Sequence, residues 1–150
     1  MIKKIAQRDK TIAEQIYRVF QVSYTIEAKL LKANIFPPLQ RSVANLQNSE
    51  TLFYGFYKAK TIIAVIEILK DVDSTHVQSL VVDPLHFREG IGRQLMTNIL
   101  NNYDTPMFTV ETGVDNIPAC NLYRSLGFFE VKQWDTSFGI RKIRFEKRNG

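Results

Sequence analysis

The sequence predicts an α/β (α+β) fold: a mixed central sheet flanked by helices on both faces. Three observations support this. Apolar spacing alternates between the strand period and the helical period in the order β-α-α-β-β-β-α-β-α-β-β, which gives about seven strands. Leu80, Val81 and Val82 form an apolar run without alternation, as a strand covered on both faces does. The 150 residues are 45% hydrophobic, enough to bury the core of a single domain spanning 1–150.

Residues 3–6 read as a short first strand. Asp9 caps a helix that buries Ile12, Ala13, Ile16, Tyr17 and Phe20; its pattern either continues towards Leu31 or breaks near Ser23-Tyr24. Phe36-Pro37-Pro38 interrupts it, and Pro38 opens a second short helix with Leu39, Val43 and Leu46 inward. Residues 52–57 and 61–69 form a hairpin across Lys58-Ala59-Lys60, a connection without the usual Asn-Gly. Residues 71–74 are a polar turn, and 76–82 are the next strand. Asp83-Pro84 stops that strand, because proline cannot donate to a ladder. From Gly92 onward Leu95, Ile99 and Leu100 recur at helical spacing, until Asn101-Asn102-Tyr103-Asp104. Residues 107–112 are a strand and 113–116 a loop. Pro118 then starts a helix that ends at Leu126, with Gly127 as its C-cap. Residues 128–134 and 138–145 are the last two strands, turning near Asp135.

Composition narrows the function classes. Net charge is +5, and Arg141, Lys142, Arg144, Lys147 and Arg148 cluster near the end; this reads as an edge strand whose charges oppose aggregation. No nucleic-acid motif accompanies the charge, so nucleic acid is not supported as a partner. An exposed terminal strand leaves pairing between two copies, a homodimer, open. The basic start Met1-Ile2-Lys3-Lys4 has no long apolar run behind it, so neither a signal peptide nor a membrane span is expected. The single cysteine, Cys120, excludes an internal disulfide and fits a reducing, cytoplasmic setting. His76 and His86 are the only histidines and have no ligand spacing, so no metal is expected.

Residues 79–95 carry the first functional signal. A buried strand runs into a loop, then Gly90 and Gly92, then a helix. Glycines let a ligand approach the backbone, and the first N–H groups of a helix have no internal partner. Such an arrangement suits an anion, phosphate above all. The pair could also begin a dinucleotide fingerprint, with Glu111 about 20 residues on as the ribose contact; Leu95 at the third glycine position argues against it. A second signal runs from Asn116 to Phe128. Ala119, Leu122, Tyr123 and Leu126 share one helical face, where Tyr123 is either a core residue or a phenol presented to a ligand.

Together these motifs resemble the GNAT superfamily of acetyl-CoA-dependent N-acetyltransferases. That family's central motif is Arg or Gln, two variable residues, Gly, one variable residue, then Gly or Ala, after a strand ending in Val-x-Pro. Here it reads Val82-Asp83-Pro84, then Phe87-Arg88-Glu89-Gly90-Ile91-Gly92. The later motif, Asn-x-x-Ala-x-x-Leu-Tyr-x-x-x-Gly-Phe, is intact from Asn116 to Phe128. The resemblance covers the whole chain and implies a mostly antiparallel sheet. The departure is Phe87, which stands where the family has Arg or Gln. Backbone N–H groups do most of the phosphate binding, Phe87 keeps its own, and Arg88 and Arg93 supply charge, so coenzyme A binding is expected to survive.

The resemblance further implies transfer of an acetyl group from acetyl-CoA, a co-substrate, to a primary amine by direct attack. The cofactor-binding set is then Leu80, Val81, Val82, Phe87, Arg88, Glu89, Gly90, Ile91, Gly92, Arg93, Asn116, Ala119 and Tyr123. Backbone N–H groups of Leu80 or Val82 would polarise the thioester carbonyl. Tyr123 matches the family's general acid; a phenol stays protonated at neutral pH and can give its proton to the departing thiolate. For the base, the candidates are His76, where family members carry a Glu or His that relays the proton through water, Glu67 and Glu111. Each also has a bland reading, as a strand-end histidine or a carboxylate on a polar face. Glu27 lies in the helical region that walls the acceptor site in this family. It either binds a cationic acceptor or is simply surface. The alternative function is a non-catalytic acyl-CoA-binding or regulatory module on the same fold, for which Phe87 leaves room. The acceptor's identity is not legible in the sequence.

Overall fold

The computed structural model describes residues 1–149. The first strand, β1, covers Ile2–Lys4, ending sooner than expected. Ile5 instead turns into the core, while its N–H still donates to the Phe53 carbonyl at 2.8 Å. Asp9 accepts from the Ile12 N–H and starts α1, Lys10–Leu30. The helix continues unbroken through Ser23-Tyr24, because Ala13, Ile16, Val19, Phe20 and Tyr24 form one buried stripe along it.

The expected second helix splits in two. A 3-10 turn covers Pro37–Gln40, the backbone is extended at Arg41, and α2 is Val43–Asn48. Ser42 takes the capping role, its hydroxyl accepting from the Asn45 N–H at 3.0 Å. Only Leu46 of the three expected apolar residues is buried.

The hairpin of β2 (Leu52–Lys58) and β3 (Thr61–Lys70) forms as expected, with Ala59 in the left-handed region at φ 56. Next come β4 (Ser74–Val82), a 3-10 turn over Pro84–His86, α3 (Ile91–Asn102), β5 (Met107–Gly113), α4 (Ile117–Ser125), β6 (Phe129–Asp135) and β7 (Arg141–Arg148). The last strand starts later than expected: residues 136–140 form the turn, closed by Thr136 Oγ1 accepting from the Ile140 N–H at 3.2 Å. Phe138 is left exposed there.

The sheet has seven strands in the order β1-β2-β3-β4-β5-β7-β6. Every pairing is antiparallel except β4 with β5. The basic strand β7 is therefore interior and not an edge. It enters between β5 and β6, where Arg144 meets Glu111 at 3.0 Å and Glu146 at 3.1 Å. The edge left open near the C-terminus is β6. One core lies between the sheet and α3 with α4; the other lies under α1 and α2. Each fully buried large side chain, such as Phe20 or Leu95, contributes about 1.5–3 kcal/mol. Among the described residues no helix is long and apolar enough to cross a membrane.

Candidate functional site

The one parallel ladder stops early. β4 and β5 pair from Ser74 with Met107 to Val77 with Val110, yet β4 runs on to Val82 and β5 to Gly113. A bulge leaves Gln78 unpaired between Val77 and Ser79 and bends β4 at that point. The strands part, and a cleft of about 550 Å³ opens between them, with α1 across one side and the start of α3 and one face of α4 on the other. Asp83 donates its N–H to Ile63 of β3 at 2.8 Å. Amide directions alternate along a strand, so the N–H groups of Val82 and Leu80 point the other way, into the cleft. That of Val82 donates to Ser23 Oγ at 3.3 Å, leaving Leu80 as the backbone donor facing the opening.

Beyond β4 the chain forms an amide cradle. The N–H of Phe87 closes the 3-10 turn onto the Pro84 carbonyl at 3.3 Å, so it is not available to a ligand as expected. The N–H groups of residues 88–93 have no acceptor among the described residues; the first bond of the α3 ladder is Gln94 N–H to Gly90 carbonyl, 3.1 Å. Arg88 and Gly90 both sit in the left-handed region, at φ 65 and φ 76. This turns successive N–H groups towards one side and makes an anion nest at a helix N-terminus. Arg88 and Arg93 line the same cleft, and Arg93 is steadied by a 2.7 Å bond to Ser125 Oγ. A pyrophosphate is the kind of group this cradle can hold. Gly92 has ordinary room around it, since a Cβ would lie 3.7 Å from Leu122 and 3.9 Å from Leu80.

At the other end of the cleft, Asn116 joins α4 to α1. Its Oδ1 caps α4 by accepting from the Ala119 N–H, and its Nδ2 donates to Glu27 Oε1 at 2.9 Å. Ala119 and Tyr123 follow along the cleft side of α4. The Tyr123 ring is buried against Phe128 and Phe145, while its hydroxyl has no hydrogen-bond partner among the described residues. Burial, with the Glu27 carboxyl beside it, pushes the phenol well above its ordinary range, so it stays protonated. Burial likewise raises Glu27 to about 7, although Lys142 and Asn116 pull it back. Tyr24, one helical turn before Glu27, lines the cleft and is also raised by burial and by Glu27.

Residues 25–149 match the family described as the acetyltransferase (GNAT) domain. The chain belongs to the GNAT acetyltransferase family. It is also similar to the Bacillus subtilis protein called UPF0157 protein YqkA, 34% identical over 141 residues, which is 93% of this chain and 41% of that protein. The chain thus spans less than half of that relative's length. Two solved structures share the GNAT fold with it. The ribosomal-protein-S18-alanine N-acetyltransferase from Escherichia coli superposes with a TM-score of 0.76 at 21% identity, covering 99% of this chain and 92% of that one. The PaiA N-acetyltransferase from Thermoplasma acidophilum, solved in complex with coenzyme A, gives a TM-score of 0.76 at 19% identity and covers 99% and 98%.

This GNAT chain distributes its other candidate residues unevenly. Leu80, Val82, Phe87, Gly90, Ile91 and Gly92 line the cleft. Val81 points into the core under α1, and Glu89 lies outside, near Lys58 and His86. Of the candidate bases, only Glu111 lines the cleft, held by Arg144 at 3.0 Å and Lys142 at 3.8 Å. His76 does not; its Nδ1 lies 2.7 Å from Thr109 Oγ1, and burial lowers its pKa against the pull of Glu111. Glu67 is buried in a network with Arg41, Thr51 and Ser79 that occupies both carboxylate oxygens. Sequence reasoning missed Ser23 and Tyr24, whose three- and four-residue spacing to Glu27 was the available signal. No group of His, Cys, Asp and Glu among the described residues is arranged to hold a metal ion.

Proposed function

We propose that the chain, as one domain over 1–150, is an N-acetyltransferase that moves the acetyl group of acetyl-CoA to a primary amine by direct attack, with Tyr123 as general acid. The observation that carries this reading is the opening of the unpartnered amides of residues 88–93 and the unpartnered Tyr123 hydroxyl onto one cleft. The pyrophosphate takes the amide cradle, helped by Arg88 and Arg93. The pantetheine arm follows the splayed edge of β4 along Leu80 and Val82. The Leu80 N–H is the donor left for the thioester carbonyl, since Val82 is engaged by Ser23.

Tyr123 supplies the proton for the leaving sulfur. Desolvation keeps the phenol protonated until the thiolate forms, and it raises a thiol released beside the phenol in the same direction. Phe87 favours a second reading, a non-catalytic acyl-CoA-binding module. Its side chain is apolar and 44% exposed where the family places a polar one. Incubating the protein with acetyl-CoA and a panel of amines, and reading free thiol, separates the two: tight coenzyme A binding without turnover on any acceptor leaves the binding module. Tyr123→Phe is expected to keep coenzyme A affinity and lose turnover by at least roughly ten-fold. Wild-type rates in that variant would remove Tyr123 from the acid role.

A further inference from the structure

Two carboxylates line the cleft among the described residues, Glu27 and Glu111, and their surroundings differ. Glu111 is already engaged by Arg144 and Lys142. Glu27 has no ion pair among the described residues. Its Oε1 accepts a single hydrogen bond from Asn116, and its Oε2 has no partner among the described residues. The titratable and charged groups facing it are Tyr24 on α1, Tyr123 on α4 and Lys142 on β7, with Glu111 across the cleft on β5. The helix that carries Glu27 also sets Ile26 and Leu30 into the cleft wall, although they are 43% and 45% exposed. The part of the rim that α1 carries beside the free carboxylate is therefore apolar.

We propose that Glu27 docks the acceptor amine and is its general base, and that the acceptor is a monocationic primary amine carried on an apolar body. This rests on the acetyl-transfer reading above. One free carboxylate matches one ammonium. An apolar body covers the half-exposed Ile26 and Leu30, whereas an acceptor with several ammonium groups leaves that apolar surface without a matching partner. Burial, which lifts the Glu27 carboxyl towards neutrality, makes it a proton acceptor suited to working near pH 7.

Protons and electrons balance across the step. Glu27 takes one proton from the docked ammonium, and the nitrogen lone pair forms the C–N bond to the acetyl carbon. The C–S bond breaks with its electron pair on sulfur, and Tyr123 gives that sulfur its proton. The second nitrogen proton restores the phenol, and Glu27 releases its own proton to solvent. The products are the amide, the free thiol and one proton.

The test compares wild type with Glu27→Gln, using acetyl-CoA as donor and n-hexylamine or spermidine as acceptor. Wild type is expected to favour n-hexylamine in kcat/KM and to show an acidic limb near neutrality. In Glu27→Gln the rate should fall at least roughly ten-fold and that limb should disappear, with coenzyme A affinity unchanged. A roughly ten-fold preference for spermidine overturns the acceptor class, and an unchanged limb and rate in Glu27→Gln overturn the base. If no amine turns over, the acetyl-transfer reading fails. Calorimetric binding of n-hexylamine to the coenzyme A complex then decides the docking role alone: loss of binding in Glu27→Gln upholds it, and equal binding in both proteins overturns it.

Discussion

Replacing Glu27 with glutamine removes a charge that the folded chain holds against its own burial. The carboxyl is raised in the folded protein from its ordinary 4.5 to about 7. Between those values the folded state binds more protons than the unfolded chain, so this group's contribution to stability falls as pH rises from about 4.5 through about 7 and is level beyond. At about 1.4 kcal/mol for each ten-fold change in proton affinity, that interval sets a ceiling of about 3 kcal/mol. Glu27 is partly exposed, and solvent screening cuts the figure to roughly half, about 1.5 kcal/mol. The substituted amide keeps an oxygen for Asn116 but has no charge to desolvate. Glu27→Gln should therefore stabilise the unliganded protein by about 1.5 kcal/mol near pH 8, or roughly 3–6 °C in Tm for a chain of this size, and by nothing near pH 4.5. Urea melts of both proteins at the two pH values read the difference, and the other titrating groups cancel in it. An equal effect at both pH values, or a loss of stability confined to high pH, would show that burial does not hold the Glu27 carboxyl above its ordinary range.

Three further predictions concern the scaffold. A Cβ on Gly113 would lie 2.5 Å from Leu31 Cδ2, so Gly113→Ala must shift the buried Leu31 side chain; it should cost about 1–3 kcal/mol in urea denaturation, and a neutral result would mean Leu31 moves freely. Gly90→Ala meets no neighbour but must hold φ +76, so it should cost about 1–2 kcal/mol and weaken coenzyme A binding, whereas Gly92→Ala has room and should be tolerated; equal effects at both positions would count against the left-handed nest. Arg41→Ala strands the buried Glu67 carboxylate without its cation and should cost about 3–5 kcal/mol in the same assay, while a change under about 1 kcal/mol would show that Thr51 and Ser79 suffice.

The amino-acid sequence by itself determined the element order and both site motifs, because these are local. Glycine pairs, the Asn116 cap, the Asp83-Pro84 stop and hydrophobic periodicity act within a few residues of chain. It also carried the family resemblance that the match over residues 25–149 confirms. Tertiary structure decided what depends on partners distant in the chain. The basic strand β7 is interior because it inserts between β5 and β6, a choice that its charges alone do not reveal and that Glu111 and Glu146 make tolerable. Helix α2 starts at Val43 and not Pro38, and the preceding Arg41 is drawn to Glu67, 26 residues away. The cleft itself exists because the β4–β5 ladder ends at Val77 and Val110, and no local pattern announces that ending. The same holds for the carboxylates. Glu67 and Glu111 each read either as a base or as a carboxylate on a polar face, and ion pairing engages both. Glu27, on a helix whose pattern allowed a plain surface position, is brought beside Tyr123 by the Asn116 bridge from α4, a contact spanning 89 residues of chain. Burial depends on which side of a helix meets the rest of the fold, and only the assembled fold fixes that side.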